Sequence, residues 1–283
     1  MSDEAIDKTS VYIHGSSPEE QKRLSLLNDI LNKECLRVLD PSMGDKVLDV
    51  GCGLGQFSRV VASVAGVDGY VLGIERDKQQ YQQAIKLAAN CNEQDLIEFR
   101  SGDALKLPLT DNEWGTFDVA YCRFLLEHLQ DPASAISQMV KAVRPGGRVF
   151  LADDDHEYFH PWPEPEGFQP LWQAYIKSYV RLGNDPYIGR RLVFLLREAG
   201  LVSINNSCVF FGGCEGNETF GAVADNLIGI MIGARESILS GGFLDEKTYR
   251  VGVKGLVRWK ESPASALWYS VCCAEGLVPE KNP

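Results

Sequence analysis

Between residues 46 and 153, short apolar stretches alternate with amphipathic segments. In the amphipathic segments, apolar residues recur at i, i+3, i+4 and i+7, which is the buried stripe of a helix. The apolar stretches are short and rich in β-branched residues, as strands are: KVLDV (46–50), YVLGIE (70–75), LIEFRSG (96–102), FDVAYC (117–122) and RVFLAD (148–153). This alternation predicts an α/β chain with a parallel sheet covered by helices on both faces, whose ligands bind beyond the carboxyl ends of the strands.

The rest of the chain adds helices and two more strands. A first helix opens at the capping box Ser17-Pro18-Glu19-Glu20 and ends before Pro41. The stretch after Asp155 is rich in proline and aromatic residues, and another helix starts at Asp185-Pro186. VSINNSCVFF and ALWYSVCCA are strand candidates that would complete the sheet, with a helical insertion between them.

The overall charge restricts the classes of partner. The 283 residues carry a formal net charge of −11 and the isoelectric point is about 4.9. Such a field repels phosphate backbones and anionic membranes, so we expect neither nucleic acid nor membrane as a partner. The N-terminus lacks a secretory pattern, which predicts a cytoplasmic protein whose eight cysteines stay reduced.

The segment VLDVGCGLGQF runs from a strand into a glycine loop at Gly51, Gly53 and Gly55. The dinucleotide fingerprint G-x-G-x-x-G fails from either of the first two glycines, because the last position is Gln56 or Ser58. Asp49 would also repel a pyrophosphate, whereas it would attract an ammonium or sulfonium group. The loop therefore indicates a site for a cation.

Two further acids follow neighbouring strands. Glu75 ends the second strand, where a carboxylate can accept hydrogen bonds from both hydroxyls of a ribose. Asp103 follows the third strand and could accept a hydrogen bond from an adenine amino group. Acids at three successive strand ends after a glycine loop predict a site for a positively charged nucleoside.

The chain resembles the class I S-adenosylmethionine-dependent methyltransferases, and within them the ubiquinone/menaquinone-type small-molecule enzymes. The resemblance rests on VLDVGCGLG, GIERD, GDALKLPL, FDVAYCRFLLEHLQDP and VRPGGRVF. It implies a Rossmann-like, doubly wound sheet of seven strands, mostly parallel with the last strand antiparallel. It also implies S-adenosylmethionine as cofactor and a single domain over 1–283, with an N-terminal helical lid (1–40), a cofactor-binding core (41–155) and substrate-side lid elements (156–200 and 213–266).

The same resemblance assigns residues to parts of the cofactor. Asp49, Gly51 and Gly53 would line the methionine end, and Glu75 would hold the ribose. The N-terminal segment would close over the methionine moiety and contribute Tyr12. The other residues assigned to the cofactor site are Arg76, Gly102, Asp103, Ala104 and Arg123.

The acceptor is less constrained by the sequence. We expect methyl transfer to a small organic molecule by direct displacement, at nitrogen, oxygen or carbon, with His128 as the candidate base where the acceptor must lose a proton. A protein or RNA methyltransferase and a non-catalytic S-adenosylmethionine-binding regulator remain alternatives, and a homodimer stays open. We expect no metal, because the fourth strand is followed by Arg123 rather than by an acid that could join Asp153-Asp154-Asp155 around Mg²⁺.

Overall fold

The computed structural model describes residues 30–280, and a seven-stranded sheet forms its centre. The order across the sheet is β3-β2-β1-β4-β5-β10-β7, in which β10 runs antiparallel to both of its neighbours. The strands of this sheet are β1 (Lys46–Val50), β2 (Tyr70–Glu75), β3 (Ile97–Ser101), β4 (Phe117–Arg123), β5 (Val143–Asp153), β7 (Val202–Phe210) and β10 (Ser270–Leu277). The predicted doubly wound sheet with an antiparallel last strand is confirmed.

Helices connect the strands and cover the sheet. Within the described residues they are α1 (30–39), α2 (Gln56–Ala65), α3 (Lys78–Asn90), α4 (Pro132–Ala142), α5 (Phe168–Arg181), α6 (Leu192–Glu198), α7 (Phe220–Gly233), α8 (Arg235–Ser240) and α9 (Glu246–Lys260). None of these helices has the length and apolar character needed to cross a bilayer.

Successive residues of the central strands belong to two separate cores. Val47 of β1 and Val71 of β2 join one apolar cluster, whereas Leu48 and Leu72 join the other. This alternation follows from the two-residue period of a strand, which sends neighbouring side chains to opposite faces. The continuous apolar strands predicted from the sequence are therefore buried on both faces, as strands of a parallel sheet are.

A second, three-stranded sheet lies beside the first and was not predicted. It consists of β6 (His160–Trp162), β9 (Ala266–Trp268) and β8 (Gly213–Cys214), in that order. The segment ALWYSVCCA, predicted as one strand, therefore divides between β9 and β10 at Tyr269. The predicted helical insertion before the last strand is present as α7, α8 and α9.

Two local expectations differ from the structure or lie outside the described part, and one stretch without a predicted element contains a helix. The proline- and aromatic-rich stretch contains α5, because its apolar residues recur at helical spacing once Pro165 is passed. The helix expected at Asp185-Pro186 begins only at Leu192, after a 3₁₀ turn over Ile188–Arg191. The capping box at Ser17 lies outside the described residues.

Candidate active site

A pocket of about 820 Å³ opens at the carboxyl ends of β1 to β4. The strand order brings the ends of β3, β2, β1 and β4 side by side, so residues distant in sequence meet along one edge. The predicted site residues that line it are Asp49, Gly51, Gly53, Glu75, Arg76, Gly102, Asp103, Ala104, Arg123 and His128. Tyr12 lies outside the described residues.

The glycine loop after β1 turns back at once onto β2. The amides of Gly51 and Cys52 both donate to the carbonyl of Ile74, at 2.9 and 3.0 Å. Gly51 and Gly55 have φ angles of 78° and 69°, which lie in the left-handed region that favours glycine. A Cβ atom on Gly55 would lie 2.4 Å from Cζ of Phe99, so the close approach of loop and sheet also requires glycine there.

Asp49 is a buried carboxylate at the floor of the pocket, 3% exposed. Its Oδ2 accepts hydrogen bonds from the hydroxyls of Ser58 and Tyr121, at 2.5 and 2.6 Å. Burial raises the pKa of Asp49 to about 6, although these two hydrogen bonds and the Arg123 guanidinium counteract the rise. A cation beside Asp49 would offset the cost of ionising a buried acid.

Glu75 holds the glycine loop by its carboxylate. Its Oε2 accepts from the amide of Gly53 and its Oε1 from the amide of Asp77, both at 2.8 Å. Burial raises the pKa of Glu75, while these backbone hydrogen bonds lower it. Each carboxylate oxygen has a second lone-pair direction, so Glu75 can hold the loop and still accept hydrogen bonds from a ligand.

The turn after β3 forms another side of the pocket. Asp103 Oδ1 accepts from the amide of Leu105 at 2.8 Å, which fixes the turn. The neighbouring Ala104 is buried, and a Cβ atom on Gly102 would lie 2.5 Å from Cγ of Pro108. The turn therefore presents a small, packed surface with one carboxylate, which suits the flat face and amino group of a purine.

Two arginines line the pocket in different settings. Arg76 follows β2 and is exposed, whereas Arg123 ends β4 and lies partly buried. The guanidinium carbon of Arg123 sits 4.4 Å from the ring centroid of Phe57, a cation–π distance. Arg123 also lowers the pKa of Asp49, so it belongs to the same electrostatic group.

His128 lies at the β4 end of the pocket, in a 3₁₀ turn over Leu126–His128. The Tyr179 hydroxyl lies 3.3 Å from its Nδ1, and Glu127 Oε1 lies 3.6 Å from its Nε2. Burial lowers the pKa of His128 to about 4, with a further contribution from the charge of Arg76. The imidazole is therefore neutral at physiological pH.

Sequence reasoning missed the side chains that hold the predicted ones. Ser58 and Tyr121 fix Asp49, and Tyr179 contacts His128. Ser58 falls on the first turn of α2, so its place beside the strand end could have been predicted from helix spacing. Tyr121 and Tyr179 meet their partners only through the sheet order and the packing of α5, and no local signal reveals those contacts.

Apolar side chains complete the pocket at the β4 end: Phe57, Phe124, Leu125 and Leu129. Phe124 adopts a φ of 54°, an uncommon conformation for a bulky residue that tends to persist at functional sites. The arrangement thus combines a buried carboxylate for a cation, acids for hydroxyl and amino groups, and an apolar end beside a neutral imidazole. The acids match the charged and hydrogen-bonding groups of a cationic nucleoside, and the apolar end of the pocket has a different character.

Comparisons with known proteins show which family the chain is similar to. Residues 48–151 match the family model described as a methyltransferase domain. The chain is 32% identical over 209 residues to the O-methyltransferase cnsE of Penicillium expansum, covering 72% of this chain and 70% of that protein. It is 25% identical over 189 residues to the demethylmenaquinone methyltransferase of Desulfitobacterium hafniense strain Y51, covering 64% and 71%.

Among solved structures, the fold is similar to phosphoethanolamine N-methyltransferase 2 of Haemonchus contortus, determined with phosphomonomethylethanolamine and S-adenosylhomocysteine. The TM-score is 0.54 at 16% identity, over 92% of this chain and 53% of that one. The sheet order, the acidic strand ends and the sequence relatives lead to one conclusion. The chain belongs to the class I S-adenosylmethionine-dependent methyltransferases, with S-adenosylmethionine as its cofactor.

Proposed function

We propose that the protein transfers the methyl group of S-adenosylmethionine to a hydroxyl oxygen of a small organic molecule with an apolar body. The observation that carries this proposal is the β4 end of the pocket, which is lined by the apolar side chains of Phe57, Phe124, Leu125 and Leu129 together with His128. The 32% identity to an O-methyltransferase supports oxygen as the methylated atom. The net charge of −11 disfavours RNA as the acceptor.

The cofactor supplies a methyl group on a sulfonium, which is already an activated leaving group. In our proposal Asp49 attracts the positive methionine end, Glu75 accepts the ribose hydroxyls, and Asp103 accepts from the adenine amino group. The amides of Gly53 and Asp77 hold Glu75 in place through its two oxygens, so little rearrangement is needed on binding. The protein's remaining task is alignment of the acceptor and exclusion of water.

His128 is proposed to accept the hydroxyl proton of the acceptor. It lines the same pocket as Phe124 and Leu129, and its Nδ1 lies 3.3 Å from the Tyr179 hydroxyl, so in our proposal the acceptor hydroxyl binds beside this ring. Burial makes this imidazole a weak base, with a pKa of about 4, so in our proposal it takes the proton as the oxygen gains positive charge during methyl transfer rather than from the free hydroxyl. His128→Gln retains a polar side chain of similar length and removes the base.

The test is turnover with methyl-labelled S-adenosylmethionine against three separate panels: phenols and alcohols, amines, and activated carbon acids. We expect S-adenosylhomocysteine to form with members of the hydroxyl panel and the labelled product to be an ether. Methylation confined to the amines or carbon acids would contradict the proposed atom. Cofactor binding without turnover on all three panels would favour the non-catalytic regulator instead.

The role of His128 is tested with an active acceptor from the first panel. His128→Gln should lower kcat by about 10²-fold or more, the usual contribution of a positioned base, and leave S-adenosylmethionine affinity within about twofold. His160→Gln, an exposed histidine on β6, is the matched control and should keep full activity. Unchanged kcat in the His128 variant would remove the proposed base from the mechanism.

A further inference from the structure

Behind the β4 end of the pocket, three potential metal-ligating side chains converge. Glu127 comes from the 3₁₀ turn after β4, and Asp154 and His156 follow β5. Each offers one ligand atom, and these three atoms all lie within 4.8 Å of one another. Glu127 is 4% exposed and His156 is 5% exposed, so the cluster is largely shielded from water.

The three consecutive aspartates at the end of β5, Asp153 to Asp155, have different partners. Asp153 is a structural acceptor, because its Oδ2 accepts from the amide of Leu126 and its Oδ1 from the amide of Asp154. Asp155 forms an ion pair with Arg190 through both of its oxygens. Only Asp154 joins the cluster with Glu127 and His156, so this group differs from the Mg²⁺ site considered for the triplet as a whole.

One oxygen of Glu127 gives an independent indication of a ligand. Glu127 Oε2 is buried and has no hydrogen-bond partner among the described residues. Nε2 of His156, another member of the cluster, lies 3.7 Å from this oxygen, which is too long for a hydrogen bond. A buried carboxylate oxygen without a partner is costly, and a cation between Glu127 and His156 would remove that cost.

The size of the site favours a single ion over an organic cation. None of the three side chains lines the 820 Å³ pocket or the smaller pocket beside β6. Ligands about 2.1 Å from one ion are at most about 4.2 Å apart, so the cluster needs to contract by less than about 1 Å to enclose a metal.

The donor set indicates the class of ion. One imidazole with two carboxylates suits zinc, manganese or ferrous iron better than magnesium or calcium, which prefer oxygen donors alone. Outer contacts already orient two of the ligands. The Tyr269 hydroxyl donates to Asp154 Oδ1, and the His156 ring stacks at 5.6 Å from the ring of Tyr175.

We propose that Glu127, Asp154 and His156 bind one divalent transition-metal ion of the zinc class. Glu127 directly precedes His128 in the chain, and His128 lines the pocket, so the proposed site adjoins the pocket wall. The proposal does not depend on the acceptor or on the role of His128.

The test uses the full chain after chelation and dialysis, titrated with Zn²⁺ in a calorimeter and with Co²⁺ in an absorption spectrometer. We expect one high-affinity ion per chain and Co²⁺ d–d bands without the intense near-ultraviolet band of a thiolate ligand. Millimolar Mg²⁺ should not displace the ion. Absence of binding, a thiolate band, or displacement by Mg²⁺ would each overturn the proposal.

Variants locate the ion. Glu127→Gln and Asp154→Asn keep the shape of the side chains and should each weaken Zn²⁺ binding by about 100-fold or more. His160→Gln, on β6, is the matched control and should bind Zn²⁺ as the wild type does. Circular dichroism establishes that each variant is folded, and the wild-type Co²⁺ spectrum remains decisive where a variant is not. Unchanged affinity in both folded acidic variants would overturn the assignment.

Discussion

Replacing Asp49 by asparagine should make the protein more stable at neutral pH while weakening its hold on the cofactor. The asparagine side chain would keep an oxygen that accepts from Ser58 and Tyr121, the two hydroxyls that bond Asp49 Oδ2. The substitution removes the buried charge and replaces Oδ1 by an amide NH2 group of nearly the same size. The comparison therefore reports mainly what that charge contributes to folding and to binding.

The magnitude follows from the pKa of Asp49, which burial raises from 3.8 to about 6. A raised pKa in the folded state means that the stability contribution of this group is fully present below pH 3.8 and is lost as the pH rises through about 6. Two pKa units correspond to about 3 kcal/mol, the cost of the ionised form at pH 8. At pH 5 the expected cost is about half of that.

The assay is urea unfolding of wild type and Asp49→Asn between pH 5 and pH 8. The free energy of unfolding of the variant should exceed that of the wild type by about 3 kcal/mol at pH 8, with a smaller difference at pH 5. Asp111→Asn, in an exposed loop, is the matched control and should leave the free energy of unfolding at pH 8 close to that of the wild type. Taking the difference between chains cancels the other buried acids, which titrate in the same range.

The same substitution should weaken cofactor binding, although it should stabilise the folded protein. By calorimetry at pH 8, Asp49→Asn should bind S-adenosylmethionine about 10- to 100-fold more weakly, because a buried charge pair is lost. Wild-type affinity should fall as the pH drops through about 6, where Asp49 becomes protonated in the free protein. An Asp49→Asn variant that is less stable than the wild type at pH 8, or that binds the cofactor equally well, would refute this reasoning.

Three more substitutions test neighbouring parts of the site. Glu75→Gln should weaken S-adenosylmethionine and S-adenosylhomocysteine alike, by about 10-fold or more in calorimetry, because both carry the ribose; loss of one alone would contradict its role. Tyr121→Phe removes a hydrogen bond that lowers the pKa of Asp49, so the pH below which affinity falls should move above about 6; an unchanged or lower midpoint would refute that. Gly55→Ala should cost about 2 kcal/mol or more in urea unfolding, because its φ is 69° and its Cβ would lie 2.4 Å from a ring carbon. Gly115→Ala, with the same φ and nothing within 4 Å of its Cβ, should cost less, and an equal cost would show that packing is irrelevant.

The acidic edge of the sheet was predictable because its signals are local. Asp49, Glu75 and Asp103 each lie at or just beyond the end of an apolar strand, and parallel strands place their carboxyl ends along one edge whatever their order. The glycine loop requires φ angles in the left-handed region, which glycine adopts more readily than other residues. Its position can therefore be predicted from the sequence alone. These local features predict that the three acids meet at one edge of the sheet, and all three line the pocket there.

The contacts that tune the site could not be predicted in the same way. Tyr121 reaches Asp49 only because β4 lies beside β1, and a sequence does not reveal which strands become neighbours. Glu127 lies 3.7 Å from His156, although α4 and the whole of β5 separate the two residues in the chain. The start of α5 could not be predicted from the proline-rich stretch before it, because a proline indicates where regular structure ends but not where it begins again.

The central claim is that different acids along the sheet edge hold different parts of one cationic cofactor. It is tested most directly by calorimetry with S-adenosylmethionine and with 5′-methylthioadenosine, which lacks the sulfonium and the amino acid. Asp49→Asn should weaken the first ligand and leave the second unchanged, whereas Asp103→Asn should weaken both. Equal losses for the two ligands in Asp49→Asn, or none for methylthioadenosine in Asp103→Asn, would contradict the account.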